Sequence, residues 1–452
     1  KAHCGGEPQN KKMLMLTLEL VHYGRRGWEV ERLQYLSKAE NSITEIQRVS
    51  FLETSPAYRL IQSRIESHSL VHAFLSNCFP PEWVSWITLL GQLPTKAETL
   101  EISTVAVAAS AVGTMFHMPD LVQQGHRYYI QGLRQLQRSL NDPLLMREDG
   151  TLAACMALSL YEALECPTAG SEGYFSHCQG IMALMQARGV NAHTSGAGHQ
   201  LFLGLRVPGV RLILYALQQS TSTSLSESIW MEEPWAGYPK SSFDRVTDCF
   251  AHAPGILERV KTIPSFHLNQ QLALVYELVQ ECWQVDKSLD AIYDEIQNAP
   301  GPLYWPIPSQ NIFDFDADFV RNVLWFSNIS IARTLILLWA MRTMLWSGLC
   351  NLYKHAGFLA TIEGCTPVTG ETGLPSLGHR EDYISMAYHV CQSVEYFLQN
   401  DMLLAGPISV SPALGIVLDG LQHRYHPQEV AWLQSALKVV RGKGLRALEY
   451  VT

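Results

Sequence analysis

The sequence predicts an all-α protein, a large single helical body of about a dozen or more helices. Three observations lead there. Apolar residues recur at helical spacing almost everywhere, no run of alternating strands is found, and the 452 residues are 47% hydrophobic but only 17% charged. Average domains carry roughly 25% charged residues, so a chain this poor in charge must bury much of itself.

Coarse helices are expected over 13–24, 27–38, 57–78, 81–92, 100–116, 119–140, 148–165, 172–187, 200–219, 242–262, 267–298, 316–350, 380–401 and 427–448. In the sixth, Val122, His126, Tyr129, Leu133, Leu136 and Leu140 form one stripe. Ser241 with Asp244 three residues later is a capping box that opens 242–262, Pro254-Gly255 kinks that segment, and Pro264 ends it. The acids Asp314, Asp316 and Asp318 sit where a helix dipole favours them, at the start of 316–350. Pro427 suits a first helical position, and Val430, Leu433, Leu437 and Val440 continue the spacing. Breaker-rich segments at 191–198, 220–228, 298–310 and 365–378 read as loops in one body, so a single domain over 1–452 is expected, with a short arm at 1–12.

The net charge of -9, with 33 basic residues scattered among 42 acidic ones, argues against a nucleic-acid partner. Ten cysteines without a CxxC pattern read as reduced, buried thiols, which suggests a cytoplasmic location. No membrane span is expected, because the longest apolar candidate, Ile329 to Met341, is interrupted by Arg333. The chain starts at Lys1 rather than Met and shows no signal-peptide pattern, which leaves an upstream segment open.

Nucleophile elbows, phosphate-binding loops and dinucleotide glycine patterns are absent. His68 and His72 could face one zinc, but no Glu or third ligand accompanies them, and His177 and Cys178 point to different sides of a helix. Asp244 and Asp248 are four apart, which stacks two carboxylates on one helix face; that pair could share Mg²⁺, and Asp244 could equally serve only as a cap. Leu257 and Lys261 follow, one turn apart. On a straight helix Lys261 would lie roughly 140° from Asp248, but the Pro254-Gly255 break could turn it back toward the acids.

Two resemblances add to this. His177-Cys178-Gln179-Gly180 with Leu184 and Arg188-Gly189, then Leu324-Trp325-Phe326 with Trp339, and the stretch from Pro412 to Leu437 with Glu429, Trp432 and Leu433 resemble the regulatory domain of fungal zinc-cluster transcription factors. The six-cysteine DNA-reading module of that family is not in this sequence. Around Asp244 to Lys261 the chain is similar to the humulene synthases of fungal tropolone sesquiterpenoid pathways, which lack the usual terpene-cyclase motifs. That resemblance implies that Leu257 controls product geometry, that Lys261 is essential, and that a Mg²⁺ cluster holds a diphosphate; Asp244 and Asp248 are our own candidates for its ligands. The Asp314 cluster resembles the acid motif of class II terpene cyclases, broken by Ala317. The expectation is therefore a Mg²⁺-dependent sesquiterpene cyclase that converts farnesyl diphosphate to humulene, and the alternative is a non-enzymatic regulatory or ligand-binding module. A hydrocarbon cation needs a dry pocket, which 11 Trp, 18 Tyr and 15 Phe could wall.

Overall fold

In the computed structural model of the chain, the described residues are 69–80, 86–89, 93, 98–165, 172–206, 224–313, 317–362, 374–422 and 426–446. They are helical almost throughout, as the sequence predicts, apart from two short strands. The helices expected at 13–24 and 27–38, and most of those at 57–78 and 81–92, lie outside the described residues. The chain divides into two compact units, 1–189 and 190–452.

In the first unit, α1 (Thr99–Met115) and α2 (Pro119–Asn141) form a close antiparallel pair beside α3 (Asp149–Glu165) and α4 (Glu172–Arg188). The α1 sequence is rich in Ala, Ser and Thr, and nearly all of the helix is buried. Glycines let α2 lie against it. A Cβ at Gly125 would sit 2.9 Å from the Ser110 amide nitrogen and 3.0 Å from the Ala106 carbonyl oxygen. The buried face of α2 is thus Gly125, Tyr129, Gly132, Leu136 and Ser139, and the predicted stripe brackets it. Close approach of small residues, which hydrophobicity does not register, decides the orientation.

Tyr129 stacks on Tyr161 at 4.3 Å and donates its hydroxyl to the buried Glu162 of α3. Burial pushes the Glu162 carboxyl up to about 7, while the Tyr129 bond acts in the opposite direction. Burial also pulls the His177 imidazole of α4 down to about 4. An acid raised from 4.5 loses stability as pH climbs from 4.5 to about 7, and a base lowered from 6.5 loses it as pH falls from 6.5 to about 4. The two contributions oppose each other between pH 4.5 and 6.5. Glu162→Gln keeps an acceptor for Tyr129 and removes one slope. Its stability in denaturant titrations should therefore rise with pH across that window more steeply than wild type, by on the order of 1 kcal/mol per pH unit; parallel profiles would refute the assignment.

The second unit contains α5 (Ser228–Glu232), α6 (Ser242–Ala251), α7 (Ala253–Thr262), α8 (Leu268–Gln297), β1 (Tyr304–Pro308), β2 (Asn322–Phe326), α9 (Ile329–Ile362), α10 (Tyr383–Phe397), α11 (Ala405–Gln422) and α12 (Pro427–Gly442). The predicted capping box is present: the Asp244 amide donates to Ser241 Oγ at 3.2 Å, and the Ser241 amide to Asp244 Oδ2 at 3.3 Å. The segment expected as one helix over 242–262 breaks at His252, just before Pro254.

The helix expected to start at 316 starts at Ile329 instead. Residues 322–326, rich in β-branched and aromatic side chains, pair antiparallel with β1, placing Tyr304 opposite Phe326. Asn328 then caps α9, its Oδ1 accepting from the Ile331 amide at 2.9 Å. The α11 helix, absent from the sequence-based expectation, runs through Pro412; the Ile408 carbonyl that Pro412 cannot serve is met by the Ser411 hydroxyl at 3.5 Å.

At the centre of the unit, α9 packs against α8, α10 and α11. Its Trp339 is fully buried among Tyr304, Phe326 and His389. By length and composition α9 could cross a membrane, but 78% of its most apolar window is buried, as in a core helix. The seven cysteines among the described residues are all free and buried, in line with the expected thiols. A charged clasp ties α8 and α9 to the turn Gly378–Glu381. Asp286, fully buried, accepts from Trp346 Nε1 at 2.6 Å and from Arg380 Nε; Asp290 accepts from Arg342 at 2.5 Å and from Arg380 Nη2 at 3.0 Å.

Candidate functional site

A cavity of about 620 Å³ lies in the second unit, between α7, α8 and α9. Small-molecule pockets occupy roughly 300–1,000 Å³ and are mostly apolar, and this cavity has both properties. Ile256, Leu257 and Val260 line it from α7, with Ile263 and Pro264 just beyond. Their spacing puts one face of a kinked helix toward α9, which supplies Met344, Leu345, Gly348 and Leu352 from a matching stripe. Cys282 of α8 joins the wall, its thiol pushed up to about 12 chiefly by burial, so it is a neutral, unreactive group. Nothing lies within 4 Å of a Cβ built on Gly348, so at that point the wall is thin for want of a side chain.

Polar groups gather at one end. Asn351, Lys354 and His355 line the cavity from successive turns of α9; Asn351 and Lys354 are exposed and His355 is half-buried, so this end is the mouth. Phe358, 60% exposed, extends the apolar rim. Lys354 and His355 make no hydrogen bond or ion pair to any other described residue.

Of the residues singled out in the sequence, Leu257 lies on the cavity wall. Lys261, one turn later, is exposed and is not among the lining residues. Asp244 and Asp248 are not on the wall either. They do share one face of α6, but with cationic partners. Arg206, 4% exposed, reaches Asp248 Oδ1 and the Asp244 main-chain carbonyl, and its Nε lies 3.5 Å from Asp244 Oδ1. Lys240 Nζ lies 2.6 Å from Asp248 Oδ2, and the Ser241 hydroxyl donates to Asp244 Oδ2. Arg206 is also stacked near Phe202 and Trp235, at 5.9 and 5.7 Å. Arg333 faces Asp244 as well; burial lowers its guanidinium to about 10, and Asp244 opposes that shift.

Three of the four carboxylate oxygens thus accept hydrogen bonds from Arg206, Lys240 or Ser241, and the fourth, Asp244 Oδ1, lies within ion-pair range of Arg206 Nε. Mg²⁺ demands near-octahedral oxygen ligands at roughly 2.0–2.1 Å, and here it would have to displace a buried guanidinium. Asp244 and Asp248 as arranged do not fit a Mg²⁺ site, and among the described residues no other group of three or more His, Cys, Asp or Glu could hold one.

The remaining sequence candidates fall elsewhere. His68, Asp314 and Asp316 lie outside the described residues; His72 is exposed, with its Nδ1 3.5 Å from Ser76 Oγ. Asp318 is a surface acid 2.6 Å from Arg321. Leu324, Trp325 and Phe326 belong to β2 rather than to a helix, while Trp432 and Leu433 are core residues of α12. The sequence reading missed Asn351, Lys354 and His355. Their signal was a polar trio closing the long apolar run of α9, at spacings that share one helical face.

Comparison with known proteins adds one relative. An uncharacterized protein of Emericella nidulans is 24% identical over 265 residues, which cover 54% of this chain and 55% of that protein. The chain therefore spans about half the length of the curated relative it matches. No family model matches, and no solved structure does.

Proposed function

We propose that the second unit binds an elongated apolar small molecule, of isoprenoid or fatty-chain size, in the cavity between α7, α8 and α9. One observation carries this reading: a space of about 620 Å³ walled by aliphatic side chains, with its hydrogen-bonding side chains gathered at one end apart from the inert Cys282 thiol. Of the two expectations drawn from the sequence, the non-enzymatic ligand-binding module accords with this directly, since it asks only for an occupant. Arg206, Lys240 and the capping box account for Asp244 and Asp248 without chemistry.

The sesquiterpene-cyclase reading is the second, favoured by Leu257. A residue that governs how a farnesyl chain folds would stand on such a wall, and Leu257 does. Against it stand the exposed position of Lys261 and the cations that already occupy the two aspartates. Incubation of the chain with farnesyl diphosphate and Mg²⁺, followed by diphosphate assay and analysis of the volatile fraction, separates the two. The binding reading expects no release above the spontaneous rate. Humulene formation that disappears in folded Lys261→Ala would replace it with the cyclase.

A further inference from the structure

Resting on the cavity reading, we infer that the occupant is a single-chain carboxylate amphiphile, its carboxylate held at the mouth by Lys354, His355 and Asn351 and its tail running inward toward Leu345 and Met344. The cavity is asymmetric along α9. Met344, Leu345 and Gly348 come first along the helix and Asn351, Lys354 and His355 later, with the buried Leu352 among the polar trio and the exposed Phe358 beyond it, all from one stripe. From Met344 to His355 the helix rises about 16 Å, a span that takes in the head-group end as well as the wall along which a tail would lie.

The chemistry at the mouth sets the head group. Lys354 offers a full positive charge on a flexible stem, His355 a ring N–H, and Asn351 an amide N–H. None of the lining residues is acidic, so an anion entering there meets no repelling carboxylate from the wall. Neither Lys354 nor His355 is engaged with any other described residue, so their donors are available without breaking an internal bond. One fixed cation matches one negative charge. A diphosphate, with its higher charge, would call for further cations that the wall does not provide. A neutral alcohol would leave the Lys354 charge unanswered, and a cationic head would be repelled.

Titration of the full chain with palmitate, hexadecanol and farnesyl diphosphate in metal-free buffer tests this. Wild type should bind palmitate about tenfold more tightly than hexadecanol, the range of a charge-assisted hydrogen bond. Lys354→Gln, a substitution at an exposed position, should abolish that preference, bringing palmitate affinity down to that of hexadecanol measured on the same variant. Equal affinity for the two chains overturns the carboxylate inference and leaves the apolar-cavity reading standing, as does a preference that survives in Lys354→Gln. Farnesyl diphosphate binding more tightly than palmitate also overturns it. If none of the three ligands binds, the inference falls together with the cavity reading.

Discussion

Asp248→Ala is expected to lower the stability of the chain by about 3–5 kcal/mol, because it leaves the buried Arg206 guanidinium without its nearest carboxylate. The side chains of this pair are 4% and 14% exposed, so solvent screens their interaction little. Lys240, 24% exposed, would lose the same partner but can turn to water. Asp248→Asn should cost less, since the amide oxygen can still accept from Arg206. The measurement is chemical denaturation with and without Mg²⁺. If the aspartates were metal ligands, Mg²⁺ would stabilise wild type by mass action and the mutation would erase that gain. The ion-pair account expects the same midpoint in both buffers and a large loss for the alanine variant in each. A magnesium-dependent midpoint in wild type would contradict it.

Asp286→Ala should have an effect of similar size, about 3–5 kcal/mol, for a related reason. The carboxylate is fully buried and accepts both the Trp346 indole N–H and Arg380 Nε. Removing it strands two donors at once. Arg380 would keep Asp290 at 3.0 Å and its place over the Trp283 ring at 4.5 Å, so the turn Gly378–Glu381 should loosen rather than detach. Asp286→Asn keeps one acceptor for Trp346 and separates the hydrogen bond from the charge. Denaturation midpoints, read together with hydrogen exchange across 374–382, would show both effects. Alanine and wild-type proteins of equal stability would refute the clasp.

These two clusters show what the sequence could and could not reveal. The all-α class, the capping box at Ser241 and Asp244, and the helix break near Pro254 depend on local spacing and backbone chemistry, and each was legible. The β1–β2 pair was not, because strand pairing at Tyr304 and Phe326 is a contact between separated segments and each strand has only five residues. The same holds for Asp248, whose partner Arg206 is 42 positions away. Two carboxylates on one helix face look identical to a metal pair until the cation between them is seen. Leu257 stood out in the sequence, and the structure places it on the cavity wall. Lys354 and His355 did not stand out, because a lysine and a histidine near the end of an apolar helix gain meaning only from the space beside them.

The central claim is that the cavity between α7, α8 and α9 holds a ligand, and Gly348 gives the most direct access to it. A side chain there enters the space without meeting any atom near its Cβ. Replacing an interior helical glycine also removes a conformational cost of roughly 0.5–1 kcal/mol, so Gly348→Leu should fold at least as stably as wild type. The decisive measurement is equilibrium dialysis of farnesol against both proteins. The account predicts one molecule bound per wild-type chain and none by the stably folded Gly348→Leu chain. Equal binding by the two would contradict it.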